Sequence, residues 1–276
     1  MERPDIFLHD DYRAYLKEWF EWMKTVKKGF SHRVFARMAG FKSPNCLQLI
    51  ITKRRHISPS TISKYLNVLK LKKKEEEYFE LLFRFNTEDD MATKAKHLKE
   101  LTRYWSQSKK EFTQDQYECL TQWYYFAIRE LVDLKDFSED GKWISKKLKN
   151  RVEPGQAESA LQTLLQLNLL TRDENGRLKQ TDKVLNAKDE MHSVLLFLHH
   201  HQFIRLSAEA LNDPASQRYF NTISFTIRKD DYQHLVDEVR DFKERMVNYL
   251  QSREVQGEDE DLFHINVNLF PLTSIE

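Results

Sequence analysis

Residues 31–62 read SHRVFARMAGFKSPNCLQLIITKRRHISPSTI, and they carry the strongest structural signals of the N-terminal part of the chain. Ser31 can cap a helix with its hydroxyl, and Gly40 can adopt the left-handed backbone of a sharp turn. Ser43 and Pro44 then predict the start of a second helix, because proline is tolerated in the first helical turn. Helix, glycine turn and helix together predict a helix-turn-helix.

Apolar residues at helical spacing predict how this region packs. Phe41 closes the turn, and Ser58 and Pro59 start a third helix. The inner faces comprise Val34, Phe35 and Met38 in the first helix, Leu47, Ile50 and either Cys46 or Ile51 in the second, and Ile62, Tyr65, Leu66 and Leu69 in the third. With a preceding helix over residues 11–23 and a closing helix over residues 74–85, they predict a domain spanning residues 1–86.

The charges of this domain are strongly biased. Residues 22–74 contain fourteen lysines and arginines and no aspartate or glutamate. Residues 1–86 hold 18 Lys and Arg against 10 Asp and Glu, a balance of +8, whereas the remaining residues hold 26 against 33, a balance of −7. This asymmetry favours a polyanionic partner, although a merely solvated basic surface has the same composition.

The layout predicts which side chains contact double-stranded DNA. In a repressor-type helix-turn-helix the second helix enters the major groove, with its N-terminal residues toward the base edges. Amide side chains can read adenine, and hydroxyls bond to several bases. We expect base-edge or nearby phosphate contacts from Lys42, Ser43, Asn45 and Gln48, and phosphate contacts from Lys53, Arg54 and Arg55, with Arg33 as a further DNA-binding candidate. The same domain can instead dock a protein partner.

The chain resembles a bacterial family that occurs as many paralogues in predatory and fibre-degrading bacteria. The matching segments are residues 11–13, 30–36, 40–44, 53–55, 77–82, 122–125, 127–131, 160–176 and 270–273. Members pair an N-terminal helix-turn-helix with a C-terminal domain of unknown function and are usually described as transcriptional regulators. The resemblance implies a regulatory role, but no ligand, operator or catalytic residue. One departure is Lys53, where the family tends to have glycine.

Beyond residue 86 the sequence predicts three further parts. After a polar break at residues 87–90, residues 87–112 form a helical connector or a dimer contact. Residues 113–186 form a winged-helix-like domain, and residues 187–276 form an α+β region for sensing or oligomerisation. The fold class is mainly α with a smaller α+β part.

The predicted winged-helix-like domain has helices over residues 113–134, 143–148 and 154–169, followed by a hairpin turning at residues 175–176. Thr113 and Gln116 predict a capping box, and Asn-Gly is typical of a tight hairpin turn. Residues 153–170 contain two glutamates and no Lys or Arg, so this helix is a poor groove reader. We expect packing, dimerisation or sensing, with phosphate contacts by Arg172, Arg177 and Lys179 as the alternative.

The C-terminal part is predicted to combine helices with a small sheet. Residues 188–211 and 230–251 have helical spacing, the latter with Leu235, Val239, Phe242, Met246 and Leu250 inward. Residues 219–228 and 263–269 alternate as strands do. Residues 254–261 suit a mobile loop. His199, His200 and His201 point to different sides of a helix, so packing or solvent contact is favoured over a shared metal ion.

Several function classes find no support in the sequence. None of the six glycines forms a G-x-G pair, and there is no G-x-S-x-G or H-E-x-x-H motif. We therefore expect no cofactor, no metal and no catalytic residue, although an unfamiliar enzyme would escape such motifs. The start lacks the pattern of a secretory signal, and no apolar run is long enough for a membrane helix. Cys46 and Cys119 fit reduced thiols of a cytoplasmic protein.

These observations favour a cytoplasmic DNA-binding transcriptional regulator. A homodimer is expected because repressor-type domains usually read two half-sites. The C-terminal region then dimerises or senses an effector. The alternative is a signalling adaptor that uses the basic domain to dock an acidic protein partner.

Overall fold

The computed structural model describes residues 2–105, 113–185, 189–252 and 261–274, and it divides the chain into two compact units. The first unit comprises Met1–Gln122 and Lys183–His199, and the second comprises Trp123–Asp182 and His200–Glu276. The described residues are mainly helical with a small antiparallel sheet, which confirms the predicted fold class at this level.

The elements are named in chain order. The α-helices of the described residues are α1 (Tyr12–Val26), α2 (His32–Met38), α3 (Cys46–Ile51), α4 (Ile62–Leu69), α5 (Lys73–Thr87), α6 (Met91–Trp105), α7 (Gln114–Thr121), α8 (Trp123–Leu131), α9 (Gly141–Lys147), α10 (Pro154–Gln166), α11 (Asp189–Ala210) and α12 (Tyr232–Ser252). Short 3-10 helices cover Ile6–Leu8, Pro59–Thr61, Ala215–Gln217 and Lys229–Asp231. The sheet consists of β1 (Leu170–Arg172) and β2 (Leu178–Gln180).

One continuous apolar core runs through the first unit. It joins buried residues of α1 to α5 with buried residues of α6, α7 and the start of α11, such as Leu98, Tyr117 and Val194. Residues 88–90 are a short break between α5 and α6, which pack against each other. The compact unit is therefore larger than the predicted first domain, and the apolar face of α6 is buried inside it. The last residues of the predicted connector, 106–112, lie outside the described residues.

Local signals placed α2 and its turn correctly. The Ser31 hydroxyl accepts a hydrogen bond from the Val34 amide at 3.4 Å, which confirms the predicted cap. Gly40 has φ +69°, which confirms the predicted left-handed turn. Met38, in contrast, is exposed rather than on the inner face. Phe35, about one turn before Met38, is the large residue of α2 that is buried in the core.

The start of α3 differs from the prediction. The helix begins at Cys46 rather than at Pro44, and Asn45, with φ −91° and ψ 6°, precedes it without a capping side-chain hydrogen bond. Residues 42–45 are all exposed, so an earlier helical turn would bury no apolar side chain. The prediction that Ser43 caps this helix is therefore wrong. Leu47 and Ile50 are buried as predicted.

The predicted long helix over residues 113–134 is broken into α7 and α8. Its capping box is confirmed, because the amide of Thr113 bonds to Gln116 at 2.8 Å and the amide of Gln116 bonds back at 3.3 Å. Gln122, however, is extended, with φ −109° and ψ 119°. The Trp123 amide donates to the side-chain oxygen of Gln202 at 3.1 Å instead of to the preceding helical turn. This distant partner stabilises the break.

The second unit contains the predicted hairpin. β1 and β2 pair antiparallel, with Thr171 opposite Lys179. The Asp173 carboxylate accepts hydrogen bonds from the amides of Asn175 and Arg177, each at 2.9 Å, and Gly176 has φ +78°. The hairpin follows α8, α9 and α10 in the chain, and α10 packs on both α8 and α9.

The sheet predicted in the C-terminal part is wrong for the described residues. Residues 219–228 and 261–270 form no strand there, and their apolar side chains are exposed apart from the half-buried Leu269, as with Ile223 at 82% and Phe263 at 77%. Alternation alone cannot supply the neighbouring strand that a ladder of hydrogen bonds requires. The inward face predicted for residues 230–251 is not buried either. The predicted mobile loop lies outside the described residues except for Asp261.

Candidate nucleic-acid interface

A tightly packed base holds α2 and α3 in place. Phe35 of α2 and Leu47 and Ile50 of α3 are buried. The Phe35 ring lies with its centroid 6.1 Å from Trp19 of α1, at an interplanar angle of 76°, and 5.7 Å from Tyr65 of α4. The edge-to-face contact with Trp19 adds stabilisation beyond area burial. The opposite faces of α2 and α3 are thus presented to solvent above a buried apolar base.

The turn between α2 and α3 is fixed by backbone and aromatic contacts. The Phe41 amide donates to the Ala36 carbonyl at 2.8 Å, which closes the C-terminus of α2. The Phe41 ring is half-buried, with its centroid 5.2 Å from that of Tyr65. On its outer side the Lys64 ammonium lies 5.1 Å from the ring centroid. Phe41 therefore anchors the turn that carries the next exposed residue, Lys42.

Four of the candidate DNA contacts form one exposed row along the chain. Lys42, Ser43 and Asn45 are exposed in the turn before α3, and Gln48 is exposed on the first turn of α3 itself. Asn45 directly precedes α3, so it lies at the same end of the helix as Gln48. The helix has six residues, which corresponds to about 9 Å at about 1.5 Å per residue. Arg33 is exposed on α2.

The basic cluster at residues 53–55 follows α3 directly. The amides of Arg54 and Arg55 both donate to the Leu49 carbonyl, at 3.0 Å and 3.1 Å, so α3 positions this loop. Lys53 has φ +60°, a left-handed conformation. Glycine, which the family that this chain resembles tends to have at this position, adopts it readily. The Lys53 ammonium lies 3.3 Å from the Asp11 carboxylate. Lys53 is thus already paired within the chain, which weakens its predicted role as a phosphate contact.

The remaining candidate cations are available to a partner. Within the described residues, no carboxylate lies within ion-pairing distance of Arg33, Lys42, Arg54 or Arg55, and all four side chains are exposed. Exposed cations without an ion pair in the chain, together with polar side chains, are the groups that contact the phosphates of a nucleic acid.

Two cations near this surface were not among the predicted contacts. Lys64 stands over Phe41, and the Arg13 guanidinium lies 2.7 Å and 2.8 Å from the two ring nitrogens of His56. His56 follows the basic cluster, so Arg13 brings α1 to the same loop. Lys64 lies within residues 22–74, which contain no Asp or Glu, and this charge bias was the sequence signal that could have identified it as a contact. Arg13 could not be linked to His56 without the tertiary structure.

The titratable groups below this surface are structural. Burial raises the pKa of the Cys46 thiol and of the Tyr65 hydroxyl, so both stay protonated and pack as neutral groups. Burial, and secondarily the Lys24 charge, lower the pKa of His32, whose ring stacks on Phe20 at 4.2 Å. None of these three groups resembles an activated nucleophile or base.

On the hairpin of the second unit, one of the three candidate cations is already bound within the chain. Arg172 makes two hydrogen bonds to the Glu139 carboxylate, at 2.7 Å and 2.8 Å, and this bonding lowers the pKa of Glu139. Arg172 is therefore engaged within the chain, whereas Arg177 and Lys179 are exposed. Because α10 contains no Lys or Arg, this helix has no cationic face to present to DNA.

Comparison with known families identifies the C-terminal part. A family model described as a domain of unknown function, DUF4423, matches residues 105–272. The chain belongs to this family. The match covers α7 to α12 and includes the hairpin, in agreement with the C-terminal domain of unknown function that the resemblance implies. Neither a curated protein nor a solved structure matches the chain.

Two further features of the described residues bear on membranes and metals. None of the helices in the described parts of the chain combines the length and the hydropathy needed to cross a bilayer. Within the same parts, no three His, Cys, Asp or Glu side chains are grouped so as to hold a metal ion, and this includes the histidines at residues 199–201.

Proposed function

We propose that the protein is a DNA-binding transcriptional regulator in which α2 and α3 form a helix-turn-helix. The observation that carries the proposal is the exposed row from Lys42 to Gln48, flanked by the unneutralised cations Arg33, Arg54 and Arg55. In this proposal α3 enters the major groove, Asn45 and Gln48 meet base edges, and Arg54 and Arg55 hold phosphates.

The remainder of the chain has a separate role in this proposal. Residues 1–86 provide the DNA contacts, and the residues beyond them dimerise or respond to an effector. The elements from α8 to the hairpin form a winged-helix-like scaffold that stays off the DNA, because an acid-bearing α10 would meet phosphate without compensating cations. The proposed location is the cytoplasm, in keeping with the free thiols Cys46 and Cys119.

Selection from a random duplex pool tests this function directly. Purified protein is incubated with the pool at near-physiological salt, and the bound fraction is recovered over several rounds and sequenced. We expect enrichment of an inverted repeat. Retention without enrichment, lost as salt rises, would limit the role of the basic surface to holding phosphate. No retention would contradict DNA binding by the free protein.

A charge-reversal pair locates the contact. Arg54→Glu with Arg55→Glu is expected to abolish duplex binding, because two phosphate contacts become repulsive. The matched control is Lys73→Glu with Lys74→Glu on α5, which makes the same charge change on a helix that packs on α1 and α6. The control is expected to retain most of the binding. Equal loss in both variants would mean that only net charge matters.

The alternative function is an adaptor that docks an acidic protein through the same basic surface. The short α3, with six residues and no side-chain cap, is the observation that keeps this alternative open. A stable complex with a protein partner that depends on Arg54 and Arg55, together with no duplex binding, would favour the adaptor.

A further inference from the structure

The helix α12 has the residue spacing of a coiled-coil strand. Six apolar residues follow one another at intervals of three and four along its length, which is a heptad pattern sustained over three repeats. With a and d as the inward heptad positions, Tyr232, Val239 and Met246 take position a, and Leu235, Phe242 and Tyr249 take position d.

Among the described residues, this apolar stripe is left open to solvent. Leu235, Val239 and Met246 are half-buried, and Tyr232, Phe242 and Tyr249 are 46%, 40% and 58% exposed. Leu250, beside the stripe, is 54% exposed. An uninterrupted apolar stripe on a helix of 21 residues is a typical contact surface for another helix.

The polar residues of α12 avoid the stripe. Asp237 accepts hydrogen bonds from Arg240 and Gln233, each at 2.9 Å, on the side opposite the a and d positions. Asp241 and Glu244 also occupy outer heptad positions. The outer side of α12 thus has its own polar contacts and suits solvent.

The charges beside the stripe suit a second copy of the same helix. Glu238 and Arg245 occupy position g, and Lys243 occupies position e. In a parallel pair Glu238 of one chain faces Lys243 of the other, and in an antiparallel pair it faces Arg245. In each orientation the contact occurs twice by symmetry and joins opposite charges.

The apolar positions also fit an antiparallel pair. Every a position then lies opposite a d position of the second helix, because residues 232, 235 and 239 meet residues 249, 246 and 242.

We propose that α12 pairs with α12 of a second copy in a two-stranded coiled coil, so that the chain is a homodimer in solution. The proposal goes beyond DNA binding and stands without it, because it concerns the second unit alone and needs no nucleic acid. The experiments that test the pairing are therefore done in the absence of DNA.

The molar mass of the full chain tests the proposal. Size-exclusion chromatography with light scattering is expected to give twice the 33.2 kDa of one chain. Val239→Glu with Phe242→Glu is expected to halve that mass, because it places charges in the apolar seam. The matched control, Gln233→Glu with Asn248→Glu, adds the same two charges on the outer side and should remain dimeric. Circular dichroism checks that both variants stay folded.

Cysteine cross-linking then gives the orientation. In a parallel pair Leu235→Cys lies opposite itself and forms a disulfide-linked dimer under mild oxidation. In an antiparallel pair two copies of residue 235 are about 16 Å apart, at about 1.5 Å per residue, which is too far for a disulfide. The link then forms only when Leu235→Cys and Met246→Cys chains are mixed. The wild type, with Cys46 and Cys119, is the background control.

Either cross-linking pattern supports the proposal, and two results would overturn it. A monomeric wild-type chain at tens of micromolar, without cross-links, would show that the stripe is covered by the chain itself or by another partner. A dimer that persists in Val239→Glu with Phe242→Glu would place the dimer contact elsewhere.

Discussion

At the residue scale, Lys53 combines a strained backbone with a useful charge. Its φ of +60° lies in the left-handed region, where a side chain costs about 1–2 kcal/mol. The ion pair with Asp11 returns at most about 1 kcal/mol, because the Lys53 side chain is 68% exposed. The chain therefore places a lysine where glycine would fit better.

Substitution of Lys53 separates the backbone effect from the charge effect. Lys53→Gly should leave the free energy of unfolding within about 1 kcal/mol of the wild type, since relief of strain offsets the lost ion pair and glycine's greater unfolded-state entropy. Lys53→Val removes the same charge but should be less stable than Lys53→Gly by about 1–3 kcal/mol, because a β-branched residue resists this conformation. Urea unfolding followed by circular dichroism measures both. Equal stability of the two variants would contradict the left-handed assignment.

At the scale of elements, Gly141 controls how closely α9 approaches α10. It is the first residue of α9, capped by the Asp140 carboxylate, which accepts a bond from the Lys142 amide at 3.2 Å. A Cβ atom at Gly141 would overlap the Pro154 carbonyl oxygen and press on the Glu158 side chain. The backbone of α10 cannot move aside as a flexible side chain would.

Two glycine substitutions test this packing. Gly141→Ala should lower the free energy of unfolding by about 1–3 kcal/mol, the usual effect of overpacking. Gly155→Ala, in the first turn of α10, meets no atom within 4 Å and should be neutral or stabilising by up to about 1 kcal/mol. Thermal unfolding of the two variants provides the comparison. A neutral Gly141→Ala would mean that α9 and α10 can separate without loss of stability.

The elements also show what a sequence can predict. Ser31, Gly40 and Thr113 act on residues within four positions of themselves, so their effects could be predicted from local chemistry. The break at Gln122 depends on Gln202, which is remote in sequence. The alternation of apolar residues around Ile223 specifies the two faces of a strand, but it does not specify a neighbouring strand with which to pair.

At the candidate site, the exposure of Asn45 and Gln48 could be predicted from helical spacing. The ion pair between Lys53 and Asp11 could not, because it joins residues that only the fold brings together.

At the scale of the whole molecule, the positive charge is concentrated in one part of the chain. Residues 1–86 carry a balance of +8 and the rest −7, so the affinity for a polyanion should reside in the N-terminal part. Each phosphate that a protein neutralises contributes about −0.9 to the slope of log affinity against log salt concentration. That slope therefore counts the phosphates in contact, and it depends on how many basic domains one assembly carries.

If the proposed DNA binding and the α12 pairing both hold, separating the two chains should halve the salt slope. Each chain of Val239→Glu with Phe242→Glu keeps its basic domain but brings only one to the duplex, so it neutralises half as many phosphates. Fluorescence anisotropy with a labelled duplex between about 50 and about 200 mM salt measures the slope for wild type and variant. Gln233→Glu with Asn248→Glu, equal in charge, should keep the full slope. An unchanged slope in the monomeric variant would mean that only one basic domain of a dimer touches DNA, and the second half-site would then have no reader.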